Sequence, residues 1–271
     1  MVKILLLLSL SSILLMATPL EVELKDIMGK SAYASKKGYL KVIFKEHNDY
    51  KTGNQVDILK ILTKLKNSHL LVLKNSKNVE LTFSTTQDTP LLFMALIKEV
   101  LGNIGYGKVI TEKIVRSANR FLWKVDLQTS SVVDPLLFVK TLQSRGAIVS
   151  KVKRYSSSRW RYSIDMSNAT MLVEPITLDK EIKLKKPLSA YWLDVENAKK
   201  IRLMSPAGNQ WFPYIVFYDK NLRIIENYTK EIKSYNVKLK IPRDSKYIKI
   251  SDIYTLENLK RGLNVYVSHK R

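Results

Sequence analysis

Apolar residues recur at helical spacing in three stretches of the chain and alternate at period two through most of the rest. After Pro90, the residues Leu92, Phe93, Ala95, Leu96, Val100 and Leu101 make a broad helical stripe. After Pro135, Leu137, Phe138 and Leu142 repeat the spacing. Residues 88–93 (DTPLLF) and 133–138 (VDPLLF) open these stripes. An acidic side chain followed by proline suits a helix start, because the acceptor satisfies a free amide and proline needs no donor there. Gly102 and Gly146 follow where a left-handed C-cap is expected. Residues 56–62 carry a third, shorter helical pattern.

Each of the two longer helices gives way to alternation. Residues 109–115 lead through a polar turn into 121–127, and residues 148–152 lead through Tyr155 and three serines into 160–166. Both second strands put aromatic, aromatic and aliphatic side chains on one face: Phe121, Trp123 and Val125, then Trp160, Tyr162 and Ile164. Both continue with an aspartate, Asp126 and Asp165. The match over helix, turn and strand reads as a duplication. A weaker third copy is expected at 56–83, with 70–73 and 79–83 as a hairpin about a turn at 75–78. From Val79 the order is strand, helix, strand, strand, helix, strand. That order resembles the ferredoxin-like, or split βαβ, fold, with 159–167 as an extra strand pairing at the end. Upstream, residues 39–44 read as a strand and 46–55 as a loop.

Residues 181–271 change character. Seven short strands are expected, at 190–195, 200–204, 211–218, 222–225, 235–241, 247–250 and 263–267, with turn signals between them. A short helix capped by Thr255 is expected at 255–260. This predicts an all-β sandwich. The aromatic strand at 211–218 and the turn before it resemble jelly-roll modules of the galactose-binding-like type. The fold class is therefore α+β: repeated β-α-β-β units, then a sandwich. The expected divisions are 1–17 as a signal peptide, 18–78 as an α+β segment, 79–167 as the duplicated domain, 168–180 as a linker and 181–271 as the sandwich.

The leader changes the list of partners. Lys3, an apolar run diluted by serines and the small Ala17 have the layout of a secretory signal. Export to the periplasm or the medium is expected. The chain has no cysteine, so disulfides, thiol catalysis and thiolate metal ligands are excluded. Its 46 lysines and arginines against 24 acids give a net charge of +22. In an exported protein that charge favours anionic lipid headgroups, acidic glycans or acidic proteins over nucleic acid. One basic cluster holds Lys183, Lys185, Lys186, Lys199, Lys200 and Arg202. The other lies on the last hairpin of the duplicated region: Lys151, Lys153, Arg154, Arg159 and Arg161. Alternation puts Lys151 with Lys153, and Arg159 with Arg161, on shared faces.

Catalytic chemistry finds little support. The three histidines, His47, His69 and His269, are not spaced as metal ligands. There is no nucleophile elbow, P-loop or dinucleotide fingerprint. No cofactor is expected. Carboxylates at Asp126, Asp165, Asp194 and Asp219 carry the alternative, a hydrolase of envelope polymers. The reading favoured is a non-catalytic binding or adaptor protein for a protein, glycan or anionic surface. Its candidate residues are Lys151, Lys153, Arg159 and Arg161 on the basic hairpin, and Asn209, Trp211, Phe212 and Tyr214 around the aromatic strand. Trp211 with Pro213, and Phe212 with Tyr214, point opposite ways, so one set is core and the other is free to stack on a ligand.

Overall fold

A computed structural model describes residues 18–53, 55–74, 78–129, 131–173 and 176–269, and residues 1–17, where the leader is expected, lie outside them. The chain is mixed α+β, with mixed and antiparallel sheets and few helices. Among the described residues no helix is long and apolar enough to cross a membrane.

The chain begins with two helices. Helix α1 (Pro19–Met28) is held by a reciprocal capping box between Thr18 and Glu21. Gly29, at φ 84°, breaks it from α2 (Lys30–Ile43). A strand was expected at 39–44; the helix wins because Leu40 and Phe44 are four apart and both buried. The segment around 46–55 is a 3-10 turn (His47–Tyr50) and a ribbon of β1 (Lys51–Thr52) with β2 (Gln55–Val56). Helix α3 (Ile58–Asn67) follows, its Asp57 side chain accepting from the Lys60 amide. Residues 70–74 then run without strand pairing, and the turn expected at 75–78 falls largely on 75–77, outside the described residues. Val72 instead gives its carbonyl to the Arg154 guanidinium at 3.0 Å.

Strand β3 (Asn78–Thr85) is the centre of a five-stranded sheet. After it come α4 (Pro90–Asn103), β4 (Val109–Ser117) and β5 (Arg120–Gln128). The second unit is α5 (Pro135–Gln143), β6 (Ile148–Arg154) and β7 (Arg159–Asp165). The spatial order is β4-β5-β3-β7-β6. β5 pairs with β3 antiparallel and β7 pairs with it parallel. The extra strand therefore lies inside the sheet, against β3, and not at its end. Each hairpin sends its aromatic strand to the centre because that strand has the most apolar surface to bury. Phe83 of β3 lies with its ring centroid 6.0 Å from Trp123, 5.5 Å from Phe138 and 5.8 Å from Tyr162. All four are fully buried.

The C-terminal part has eight strands, one more than expected: β8 (Glu181–Leu184), β9 (Tyr191–Asp194), β10 (Lys200–Met204), β11 (Pro213–Tyr218), β12 (Ile224–Thr229), β13 (Asn236–Lys240), β14 (Tyr247–Asp252) and β15 (Leu263–Ser268). They form two antiparallel sheets, β13-β10-β15-β8 and β12-β11-β14-β9. Leu203 and Val265 of the first share a core with Ile215 and Ile250 of the second and with Trp211, just before β11. A 3-10 turn at Leu256–Leu259 is capped by Thr255. Gly262, at φ 72°, has no room for a Cβ, which would sit 1.9 Å from the Leu184 carbonyl oxygen.

The two parts touch. Leu222 and Tyr247 belong to the core of the α+β part, and the Met171 amide donates to the Tyr247 hydroxyl at 3.3 Å. Asp88 receives Arg116 at 2.8 Å and Arg223 at 2.7 Å, one from each part. An N-cap role at the start of α4 was expected of the Asp88-Thr89-Pro90 stretch; the cap position is Thr89, which makes no side-chain cap bond.

Truncating Phe83 to alanine opens a cavity at the meeting point of three strands and α5. The expected loss is about 3–5 kcal/mol, a large share of the ~5–15 kcal/mol that holds a domain folded. Urea unfolding of the variant against the parent checks it.

Candidate functional site

Alternation gives the five-stranded sheet one face toward Phe93 of α4 and Phe138 of α5 and one polar face turned away from them. The register sets Lys113, Lys124, Thr82, Arg161 and Lys153 in one row across all five strands. Asp126, Glu80 and Arg159 form the next row. A hollow of about 540 Å³ opens here, lined by Lys113, Lys124, Thr82, Arg159, Arg161 and Tyr155 among others.

The basic hairpin is real, but its charges are unequal. The Lys151 ammonium lies 3.3 Å from Asp26 and 3.8 Å from Glu23, and Lys153 lies 3.4 Å from Asp26. Those acids come from α1, which packs along β6. Burial holds the Glu23 carboxyl above its ordinary range even with Lys151 beside it. Lys124 is bound at 2.9 Å by both Glu80 and Glu112, and those hydrogen bonds raise its pKa. Arg159 and Arg161 make no ion pair among the described residues. Each guanidinium lies 5.7 Å from the centroid of the half-exposed Tyr155 ring. These two arginines are the part of the hairpin still available to an anion.

The aromatic candidates divide. Trp211 is fully buried and donates its indole N–H to the Ser251 carbonyl at 2.9 Å. Asn209 is also buried, donating to Ser205 at 3.1 Å and to the Gly262 carbonyl at 2.8 Å while accepting from the Arg261 amide. Both hold loops of the C-terminal part and have no surface for a ligand. Phe212 is half-buried, edge-on to Tyr254 at 5.1 Å, and Tyr214 is exposed. The structure keeps these two apart from the hairpin arginines' hollow.

A second basic face was only half visible in the sequence. On β10, Lys200 stands opposite Lys240 of β13, and Arg202 stands opposite Lys238. Arg202 also faces Tyr266 of β15. All four cations are exposed, and none forms an ion pair among the described residues. Arg202 donates to Asn236 at 3.2 Å. Together with Tyr266 they line a depression of about 370 Å³. Lys200 and Arg202 belong to a sequence cluster; Lys238 and Lys240, some 36 residues on (Arg202 to Lys238), join them only through strand pairing. Alternation of lysine with apolar residues at 237–240 was the signal for them. Like charges directly opposed across a strand pair destabilise it.

The carboxylates are engaged structurally. Asp165 accepts from Gln87 and from the Ser167 amide. Asp194 pairs with Lys246 at 2.7 Å. Asp219 accepts from the Asn221 and Arg223 amides, closing a turn. Asp126, Glu80 and Glu112 crowd together, with the Lys124 ammonium bridging two of them. His269 pairs with Asp179. The chain matches no protein-family model, no curated protein and no solved structure.

Asp126 stands opposite Glu80. Burial, then Glu112 and Glu80, push its carboxyl above the usual carboxylate range, and Lys124 offsets part of this. A raised folded pKa means the fold binds that proton more tightly than the unfolded chain does, so the ionised form costs stability at neutral pH. Asp126→Asn is expected to raise stability by about 0.5 kcal/mol at neutral pH. The gain should shrink as pH falls through the raised pKa toward the ordinary carboxylate range, as denaturant melts at several pH values will show.

Proposed function

We propose that this chain is an exported, non-catalytic binding protein that recognises an anionic surface or acidic polymer of the cell envelope or its surroundings. The observation that carries the reading is the pair of like-charge contacts on β10 and β13, Lys200 with Lys240 and Arg202 with Lys238. Directly opposed cations cost a sheet stability, of order 0.2–1 kcal/mol each. Elsewhere Lys124 and Lys151, on strands, and Lys246, just before β14, are given acidic neighbours. A face that carries four cations without them is suited to acids that come from outside. Arg159 and Arg161, beside Tyr155, supply a second contact with forked donors that suit carboxylate, phosphate or sulfate.

Export rests on the charged, apolar, small-residue layout of residues 1–17. We read the 79–167 region as a ferredoxin-like arrangement widened by one strand, supported by the element order from β3 to β7. We read 181–271 as a jelly-roll sandwich of the galactose-binding-like type, supported by two four-stranded sheets about a shared core. A linker near 168–180 separates them.

Replacing Lys200 and Arg202 together with glutamine removes two charges worth about 1 kcal/mol each at an anionic surface. Affinity for phosphatidylglycerol vesicles or for heparin should fall about 30-fold, while thermal stability rises, because both like-charge pairs are relieved. Lys36→Gln with Lys37→Gln, an equal charge change on the exposed side of α2, should leave binding within about twofold. Equal losses from both double variants would mean that net charge alone attracts the probe, and the proposed face would be wrong. Arg159→Gln with Arg161→Gln is expected to weaken heparin binding about tenfold, roughly 0.7 kcal/mol for each arginine, within the net worth of a single hydrogen bond.

A further inference from the structure

Strand β4 is a free edge. From Ile110 to Ser117 every residue is exposed, and only Val109 is partly covered. Three of its exposed side chains are large and apolar: Ile110, Ile114 and Val115. The opposite edge, β6, lies against α1. An unpaired edge presents a row of backbone donors and acceptors to any strand that fits it.

What fits is set by an irregularity. Pairing of β4 with β5 slips between Thr111 and Lys113, so Glu112 is an extra residue. Side chains opposite one another share a face. Val109, Thr111, Ile114 and Arg116 therefore lie on the helix side, opposite the buried Leu127, Val125, Trp123 and Phe121. Ile110, Lys113 and Val115 lie on the open side, opposite Asp126, Lys124 and Leu122. Glu112 is also on the open side, since its carboxylate holds Lys124. The order of faces is symmetric about the midpoint between Glu112 and Lys113. A strand of plain alternation matches this edge on one side of the bulge and is out of step on the other. A strand with the same interruption, running antiparallel, is in step on both.

We infer that this strand is a homodimer seam: two copies pair antiparallel through β4, centred between Glu112 and Lys113. Every residue then faces one from the same side of the sheet. Glu112 of each copy meets Lys113 of the other, Ile110 meets Val115, and Thr111 meets Ile114. The charges are complementary and the apolar residues cover one another. The bulge and Lys113, which discourage other strands, are the features that admit this one. Two five-stranded sheets become one of ten strands. The net charge of +22 on each copy opposes the approach, so association should strengthen as salt screens it. Binding to an anionic probe weakens with salt, and the two assays therefore fail independently.

The absence of cysteine allows a direct test. Full-chain variants Ile110→Cys and Val115→Cys each place one thiol at an exposed position. In the inferred register residue 110 meets residue 115, and neither meets itself. Under mild oxidation the mixed variants should form a disulfide-linked dimer, and either alone should form much less. Sedimentation equilibrium of the unsubstituted chain should show mass rising toward two chains with concentration, more readily at high salt. Lys113→Glu, which sets Glu opposite Glu112, should remain one chain. A parent that stays monomeric at every concentration and salt, or cross-linking as efficient in the unmixed variants as in the mixture, overturns the inference.

Discussion

The fold depends on the burial of one aromatic stripe. Phe83, Trp123, Tyr162 and Phe138 meet at the centre of the five-stranded sheet, and each comes from a different element. Neither repeat unit can bury its own aromatic strand alone. β3, which belongs to neither hairpin, supplies the middle that both need. Because side chains alternate along a strand, burying one face in this way fixes what the other must be: Glu80, Thr82, Lys124, Asp126, Arg159 and Arg161 are delivered together to the side away from the aromatic core. The open polar face is thus the geometric counterpart of the core.

The charges on these faces follow two different rules. On the mixed sheet, acids have been brought to the lysines, either within the sheet, as Glu80 and Glu112 at Lys124, or from α1, as Asp26 at Lys151 and Lys153. On the outer face of β10 and β13, cations confront cations. The core of the C-terminal part beneath is densely apolar, with Leu203, Val265 and Val267 fully buried, and can bear a modest surface penalty. Asp88 works differently again. It takes an arginine from each part of the chain, and with Tyr247 it joins the α+β part to the C-terminal part through polar contacts at the edge of a shared core.

Much of residues 79–167 was legible because the signals there are local. Asp134 caps α5 by accepting from the Leu136 and Leu137 amides, as its place before Pro135 implied. The aromatic faces of β5 and β7 follow directly from alternation. What could not be read was non-local. Which neighbour β7 chooses depends on competition for β3, and nothing near residue 159 encodes that. Lys238 and Lys240 look like ordinary solvated strand residues until the register brings them to Lys200 and Arg202. Around Leu40 and Phe44 a four-residue spacing was hidden in a run that also alternates, and the helix was settled by what the two side chains bury. Trp211 was misleading for a similar reason. A tryptophan beside Asn209 suits a sugar site equally well on paper, and only its depth and its bond to the Ser251 carbonyl decide otherwise.

The packing of α1 along β6 has one more effect. A sheet with both margins bare can accept neighbours without end, and identical chains then stack into fibres. Here one margin is already occupied by the chain's own first helix, and only the other is bare. Growth of this sheet therefore has a terminus built into the N-terminal segment, and any joining along β4 stops at a closed pair.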